Sequence, residues 1–137
     1  MTSPHEHINA PDLARPVGFS HAVAPVPGRT VFLAGQVGHD GEGNLVGDDL
    51  VTQFDAACRN LVIALEAAGG AAEDMVSLQI FTTDVPGYRK DSEEIGETYR
   101  AHFGDHYPAI ALLGVDQLFD PGAVVELVGI AVVPDHR

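Results

Sequence analysis

Residues 30–37 have the sequence Thr-Val-Phe-Leu-Ala-Gly-Gln-Val, a short apolar run that predicts a buried β-strand. Successive side chains of a strand point to opposite faces of the sheet, so Val31 and Leu33 share one face while Phe32 and Ala34 share the other. Both faces of this strand are therefore apolar. A sheet that contains it needs a cover on each side.

The hydrophobic pattern of the rest of the chain predicts the other elements. Apolar residues recur at three- and four-residue steps from Leu50 to Ala68, which predicts an amphipathic helix that ends at Gly69-Gly70. A second helix is predicted to begin near Pro86 and to end at Gly104. The predicted strands cover residues 17–26, 30–37, 75–82, 109–115 and 123–133, and the first two form a hairpin around the Pro27-Gly28 turn.

The order of elements, β-β-α-β-α-β-β, predicts an α+β domain with one mixed sheet. Right-handed crossovers would place both helices on the same face of that sheet. Two helices cover only one face, and a soluble monomer seldom exposes an apolar sheet face of this size. We therefore expect a homo-oligomer that buries the second face between subunits. Residues 1–15 are predicted to form a loose N-terminal arm, and residues 16–137 a single domain.

Composition limits the classes of function. The 137 residues carry a formal net charge of −13, with 20 acidic residues against 7 Lys and Arg, which disfavours a nucleic acid partner. No apolar run approaches the roughly 18 residues of a membrane span, and the first residues lack the apolar stretch of a secretory signal. We expect a cytoplasmic protein with no membrane partner. The single cysteine, Cys58, allows no intramolecular disulfide.

Glu126 is the main candidate for chemistry. It shares a predicted strand face with Val124, Val128 and Ile130, where a carboxylate is costly unless it is paired or protonated. A partly desolvated carboxylate suits general acid–base catalysis. An acid can equally serve to break up an apolar strand at an edge or an interface. The spacing alone favours neither interpretation.

Other polar residues give weaker signals. Ser20 and His21 are adjacent on a predicted strand and point to opposite faces, so they cannot form a nucleophile–base pair, although His21 can still line a pocket or serve a structural role. Cys58 lies on the apolar helix face and is predicted to be a buried hydrophobe. The histidines lack the three or four convergent ligands of a zinc site, and we predict no metal. Gly35 ends a buried strand where backbone approaches a ligand, a bulge or a packed neighbour closely.

Several segments, in their order and spacing, make the chain resemble the Rid family (reactive intermediate deaminases, also called the YjgF family and often labelled endoribonuclease L-PSP) from about residue 10 to residue 133. The segments are Gly18-Phe19-Ser20-His21-Ala22, Phe32-Leu33-Ala34-Gly35-Gln36, Asn60-Leu61, Leu65-Glu66-Ala67-Ala68-Gly69, Phe81-Thr82-Thr83-Asp84, Tyr99 with Phe103-Gly104, Tyr107-Pro108-Ala109, and Val125-Glu126-Leu127 with Ile130-Ala131.

The resemblance implies a chorismate-mutase-like fold of the bacillus type and a homotrimer whose sheets line a central barrel, with clefts between subunits. It also implies hydrolysis of enamines and imines to a carbonyl compound and ammonia, without a cofactor or metal. Glu126 matches the family glutamate that holds the attacking water. Gly35 matches the glycine of the family's small-Gly-Gln motif, and Leu112 falls at a position that contributes backbone contacts.

Two positions depart from the family pattern. The typical Pro-Ala-Arg is Pro108-Ala109-Ile110 here, so the arginine that grips a substrate carboxylate is replaced by a hydrocarbon, and no nearby residue obviously supplies another bidentate donor. The typical tyrosine is Phe19. With His21 as a further wall, such a pocket is predicted to suit a larger or less charged ligand than a small amino-acid-derived imine.

Two functions follow as expectations, an imine or enamine hydrolase and a non-catalytic trimeric protein that binds a small molecule in the same cleft. A nucleolytic or translation-inhibiting role, attached to some family members, is disfavoured by the net charge.

Overall fold

A computed structural model describes residues 2–136 and contains an α+β domain with a mixed four-stranded sheet. The elements in chain order are β1 (Glu6–Ile8), β2 (Ala22–Ala24), β3 (Gly28–Gln36), α1 (Leu50–Ala67), a 3₁₀ turn (Ala72–Asp74), β4 (Met75–Thr82), α2 (Val85–Lys90), α3 (Ser92–Phe103), β5 (Ala109–Gly114) and β6 (Val125–Pro134). The predicted fold class is confirmed. In residues 2–136 no helix has both the length and the apolar character needed to cross a membrane.

The main sheet has the strand order β3-β6-β4-β5. Strand β6 is antiparallel to both of its neighbours, β3 and β4, and strand β5 is parallel to β4. The predicted hairpin of residues 17–26 with 30–37 is therefore wrong, because β3 pairs with β6. Only Ala22–Ala24 of the first segment is a strand. The backbone at Gly18 has a φ of 77°, and the Ser20 N–H donates to the Pro108 carbonyl, so the chain turns away before it can pair with β3.

The N-terminal arm is ordered where a loose segment was predicted. Strand β1 pairs with β2 in a small antiparallel sheet. The buried His5 ring donates from Nε2 to the carbonyls of Val132 (2.9 Å) and Asp74 (3.2 Å), and its Nδ1 accepts from the Val26 N–H. The prediction of a loose arm is wrong for residues 5–8. The His5 ring satisfies buried backbone groups that lie far along the chain, and a polar sequence pattern does not reveal such contacts.

Helix α1 has the boundaries that its period predicts. The Asp49 carboxylate accepts from the Thr52 N–H at 3.0 Å and caps the first turn, while Gly69, with a φ of 88°, follows the last turn. The second predicted helix is two helices, α2 and α3, which join at Asp91. The apolar residues of α1 and α3 pack on one face of the sheet, here called the helix face, and form the core with its strands. The core side chains on β4 and β6 include Met75, Leu78, Ile80, Val125, Leu127 and Ala131.

The opposite sheet face, here called the open face, carries Phe32, Phe81, Leu113, Glu126, Val128 and Ile130. No element of residues 2–136 covers Phe32, whose side chain is 77% exposed, and Leu113 is 41% exposed. An apolar surface of this kind favours an association with further protein. The predicted homo-oligomer stays a prediction.

Candidate functional site

Glu126 and Gly35 lie against each other on the open face. A Cβ added at Gly35 would overlap Oε2 of Glu126 and would come within 2.9 Å of its carboxyl carbon. The pairing register of β3 and β6 shifts between Leu33 and Gln36, which marks a bulge at Gly35. A side chain at position 35 would therefore displace the carboxylate from the place that it occupies. This contact supports the sequence reading of Gly35 as a place of close approach.

The Glu126 carboxylate lies half-buried among apolar neighbours. Its cross-strand partner is Phe81, and Phe81 in turn pairs with Leu113 on β5. Within residues 2–136, the Glu126 side chain accepts no hydrogen bond and forms no ion pair. Its oxygens therefore keep their acceptor sites available for a water molecule or a ligand.

Ile110 and Leu112 lie on the other face of the sheet. They pair with Leu78 and Ile80, which are buried in the core on the helix face. Glu126 pairs with the next residue along, Phe81, whose side chain points to the open face. The sheet thus separates the predicted site residues into two groups, Glu126 with Gly35 and Ile110 with Leu112. A single copy of the chain does not bring the two groups into one cavity.

The second group opens into a cavity of about 600 Å³ between α2, α3, strand β5 and the segment at residues 17–19, here called the helix-side cavity. Its walls are mostly apolar and aromatic, as is usual for a small-molecule site. Phe19 lines it together with Ile110 and Leu112, so three predicted substrate contacts share this space. The other lining residues are Val17, Gly18, Phe54, Ile80, Tyr88, Ser92, Glu93, Ile95, Gly96, Tyr99, Arg100 and Tyr107.

Two tyrosines of the helix-side cavity, Tyr88 and Tyr99, keep their hydroxyl protons. Burial raises the pKa of Tyr88 to about 12. Burial also raises the pKa of Tyr99, whose hydroxyl donates to the His106 carbonyl at 2.6 Å. The Tyr99 ring stacks on Tyr107, with ring centroids 5.4 Å apart. These rings offer flat apolar surface to a ligand.

Arg100 is a cavity residue that the sequence did not single out. Arg100 of α3 lines the same cavity as Ile110. The expectation that no nearby residue obviously supplies a bidentate donor stays a prediction. The two positions are distant in sequence, and only the packing of α3 beside β5 brings them together. No pattern in the sequence singles out Arg100, which lies on a predicted helix like many surface arginines.

His21 has a structural environment. Its Nδ1 accepts from the Ala10 N–H at 2.9 Å, and its Nε2 donates to the Ala14 carbonyl at 3.0 Å. Both ring nitrogens therefore hold the N-terminal segment. His21 lines a smaller groove beside Ile110 and lies outside the helix-side cavity.

The remaining sequence candidates do not form a catalytic cluster. Ser20 Oγ donates to the Tyr107 carbonyl at 2.6 Å and lies 3.0 Å from Nδ1 of His7, so its histidine neighbour is His7 rather than His21. Burial raises the pKa of Cys58, which keeps the thiol protonated. In the part of the chain that the structure describes, no three His, Cys, Asp or Glu side chains converge as a metal site.

The comparisons with known proteins agree on one family. A family model described as Endoribonuclease L-PSP matches residues 8–133. A 2-iminobutanoate/2-iminopropanoate deaminase of Dermatophagoides farinae is 30% identical over 133 residues, which are 96% of this chain and 98% of that protein.

Solved structures show the same relationship. A Yersinia pestis protein of the conserved Rid family, of unknown function, superposes with a TM-score of 0.85 at 30% identity, over 95% of this chain and 99% of that one. A Mycobacterium tuberculosis member of the YjgF/YER057c/UK114 family gives a TM-score of 0.64 at 35% identity, over 85% of this chain and 88% of that one. With its sheet order, its Glu126–Gly35 contact and its family match over most of its length, this chain belongs to the Rid (YjgF, endoribonuclease L-PSP) family.

Proposed function

We propose that this protein hydrolyses the C=N bond of an imine, or of an enamine in its imine form, and releases ammonia. The observation that carries the proposal is the half-buried Glu126 carboxylate held against Gly35 with no hydrogen bond from residues 2–136. A carboxylate with free acceptor sites next to exposed backbone suits the binding of a water molecule. The deaminase name of the Dermatophagoides farinae relative agrees with this chemistry.

The reaction needs one base and one acid, and Glu126 serves as both in turn. The carboxylate accepts a proton from water as the water oxygen bonds to the imine carbon. The carbinolamine that forms carries nitrogen and hydroxyl on one carbon. It is complete when Glu126 has returned this proton to the nitrogen. Glu126 then accepts the hydroxyl proton and delivers it to the nitrogen as the C–N bond breaks, so that the carbonyl forms and ammonia leaves. The balance is one imine and one water to one carbonyl compound and one ammonia.

The site is proposed to lie between two copies of the chain in a homotrimer. Glu126 and Gly35 lie on the open face, while Phe19, Ile110 and Leu112 face the helix-side cavity. Only a second copy can place one group opposite the other. The exposed Phe32 gives an apolar area for such a contact.

The substrate is proposed to be larger than a small amino-acid-derived imine. Ile110 offers a hydrocarbon where the typical family member has an arginine, and Phe19 and Leu112 extend this apolar wall. Backbone groups at Gly35 and Leu112 would orient the substrate. His21 would support the wall through its bonds to Ala10 and Ala14.

Ammonia release from a panel of aryl and alkyl imines tests the activity. The imines are generated in place from primary amines by a flavin-dependent amine oxidase. We expect Glu126→Gln to lose the acceleration, while Glu66→Gln on the exposed surface of α1 keeps it. A Glu126→Gln variant as fast as the unaltered protein would contradict the role of Glu126.

The second candidate is a non-catalytic protein that binds a small metabolite in the same cleft. The replacement of the family arginine by Ile110 favours it. It predicts thermal stabilisation by a ligand without turnover, and this stabilisation would persist in Glu126→Gln. Either protein is proposed to act in the cytoplasm, without nucleic acid, membrane, metal or cofactor.

A further inference from the structure

Arg100 is the one cationic residue that lines the helix-side cavity, and it forms no ion pair with residues 2–136. Of the seven Lys and Arg residues, only Arg100 lines the cavity. No carboxylate oxygen of residues 2–136 lies within 4.0 Å of its guanidinium nitrogens. The other described Lys and Arg residues also lack a carboxylate partner, and Arg100 differs from them in lining the cavity.

Gly96 leaves room for the Arg100 guanidinium beside the cavity. A Cβ at Gly96, one turn before Arg100 on α3, would lie 3.3 Å from Nη1 of Arg100. The side chain therefore folds back along the helix towards its N-terminus, as helical side chains do, and passes over Gly96. Both residues line the cavity. A larger residue at position 96 would push the guanidinium away from this wall.

The remaining walls define what can reach Arg100. Phe19, Tyr99, Tyr107, Ile110 and Leu112 present apolar or aromatic surface, and Glu93 is the one acidic residue at the cavity. A guanidinium binds a planar carboxylate through two parallel hydrogen bonds. Arg100 projects from α3, whereas Ile110 projects from β5. A carboxylate bound here would thus be held from α3 and not from β5, the strand that carries the position of the family arginine.

We propose that Arg100 is a specificity-determining residue that binds a carboxylate, separated by an apolar or aromatic body from the reacting C=N group. The location of that C=N group rests on the proposed function, whereas the carboxylate site does not. Because Glu126 lies on the open face and Arg100 lines the helix-side cavity, we infer that the carboxylate and the reacting carbon are held at separate points. An elongated substrate spans the apolar wall at Ile110 and reaches Arg100.

Binding of a stable probe pair tests the carboxylate site. The probes are 4-phenylbutanoate and the uncharged 4-phenylbutanol, measured by titration calorimetry with the intact assembled protein. We expect the unaltered protein to prefer the carboxylate by about tenfold, the range of one charged hydrogen bond near solvent. Arg100→Gln should lose this preference and keep its affinity for the alcohol, and Arg100→Lys should retain part of it.

Arg59→Gln on α1 is the matched control, since it removes the same charge from an exposed position outside the cavity. The proposal is overturned if the unaltered protein shows no preference, if Arg100→Gln keeps it, or if Arg59→Gln lowers it equally. Glu126→Gln separates the proposed hydrolysis from the carboxylate site, because it removes the proposed catalytic group and leaves Arg100 in place. If no imine is hydrolysed but the Arg100-dependent preference is present, the proposed hydrolysis fails and the carboxylate site stands.

Discussion

The carboxylate of Glu126 occupies the volume that a Cβ at Gly35 would require. The two residues lie on neighbouring strands, β6 and β3, at the only register shift between those strands within residues 2–136. The bulge and the glycine together make room for an acid on an otherwise apolar sheet face. This relationship predicts that the two positions are energetically coupled.

Gly35→Ala should destabilise the protein by at most about 1 kcal/mol, because the clash is with the end of a flexible side chain, and it should displace the carboxylate. Urea denaturation measures the first effect, and ammonia release measures the second. The double variant Gly35→Ala with Glu126→Ala should recover much of the lost stability, since the clash is then absent. Additive losses in this double-mutant cycle would contradict the contact.

Phe32→Asp should dissociate the assembly, because it places a charge in the apolar open face. Sedimentation velocity would show a monomer, and hydrolysis would be lost with assembly. Ile63→Asp is the control, since Ile63 is an exposed residue of α1, 54% accessible, on the helix side. If Phe32→Asp remains assembled, the open face is not the interface.

His5→Ala should lower the free energy of unfolding by about 1–3 kcal/mol, because it leaves buried carbonyls of Asp74 and Val132 without their donor. It should also expose residues 2–12 to rapid proteolysis, which mass spectrometry detects. Glu6→Ala, at an exposed position of β1, should change neither property. Equal effects of the two substitutions would show that the arm is not held by the imidazole.

Stability should fall as the pH falls below about 6.5 through the titration of His106. Burial lowers the pKa of His106 from its ordinary value of 6.5, against the opposing effect of its hydrogen bond to the Met75 carbonyl. The unfolded chain therefore binds a proton before the folded chain does, so the contribution is complete above pH 6.5 and is lost below it. Chemical denaturation between pH 7.5 and 5 measures this slope, which His106→Gln should reduce. An unchanged slope would exclude His106 as its source.

The sequence predicted those elements whose pattern is local. The period of α1, its cap region and the strands at residues 75–82 and 109–115 follow from side-chain spacing, and the doubly apolar run at residues 30–37 predicted the open face. The pairing of the strands was harder to predict from the sequence. The Gly18 turn and the buried His5 depend on contacts with residues far along the chain, and no periodicity reports them.

The candidate site was predictable only in part, for the same reason. Glu126 and Gly35 could be singled out because an acid and a glycine are each unusual in apolar strands. Arg100 could not, since an exposed arginine on a helix is ordinary until α3 is packed beside Ile110. That β5 carries Ile110 and Leu112 on the face opposite Glu126 also became apparent only from the strand register.

The sheet acts as a partition between Glu126 and the wall formed by Ile110 and Leu112. If hydrolysis needs both groups, every active site combines Glu126 of one subunit with the wall of Ile110 and Leu112 of another. Two inactive variants, Glu126→Gln and Leu112→Trp, should then restore hydrolysis when their subunits are unfolded and refolded as a mixture. Strong dilution should dissociate the assembly, so that the native protein loses hydrolysis while its subunits stay folded.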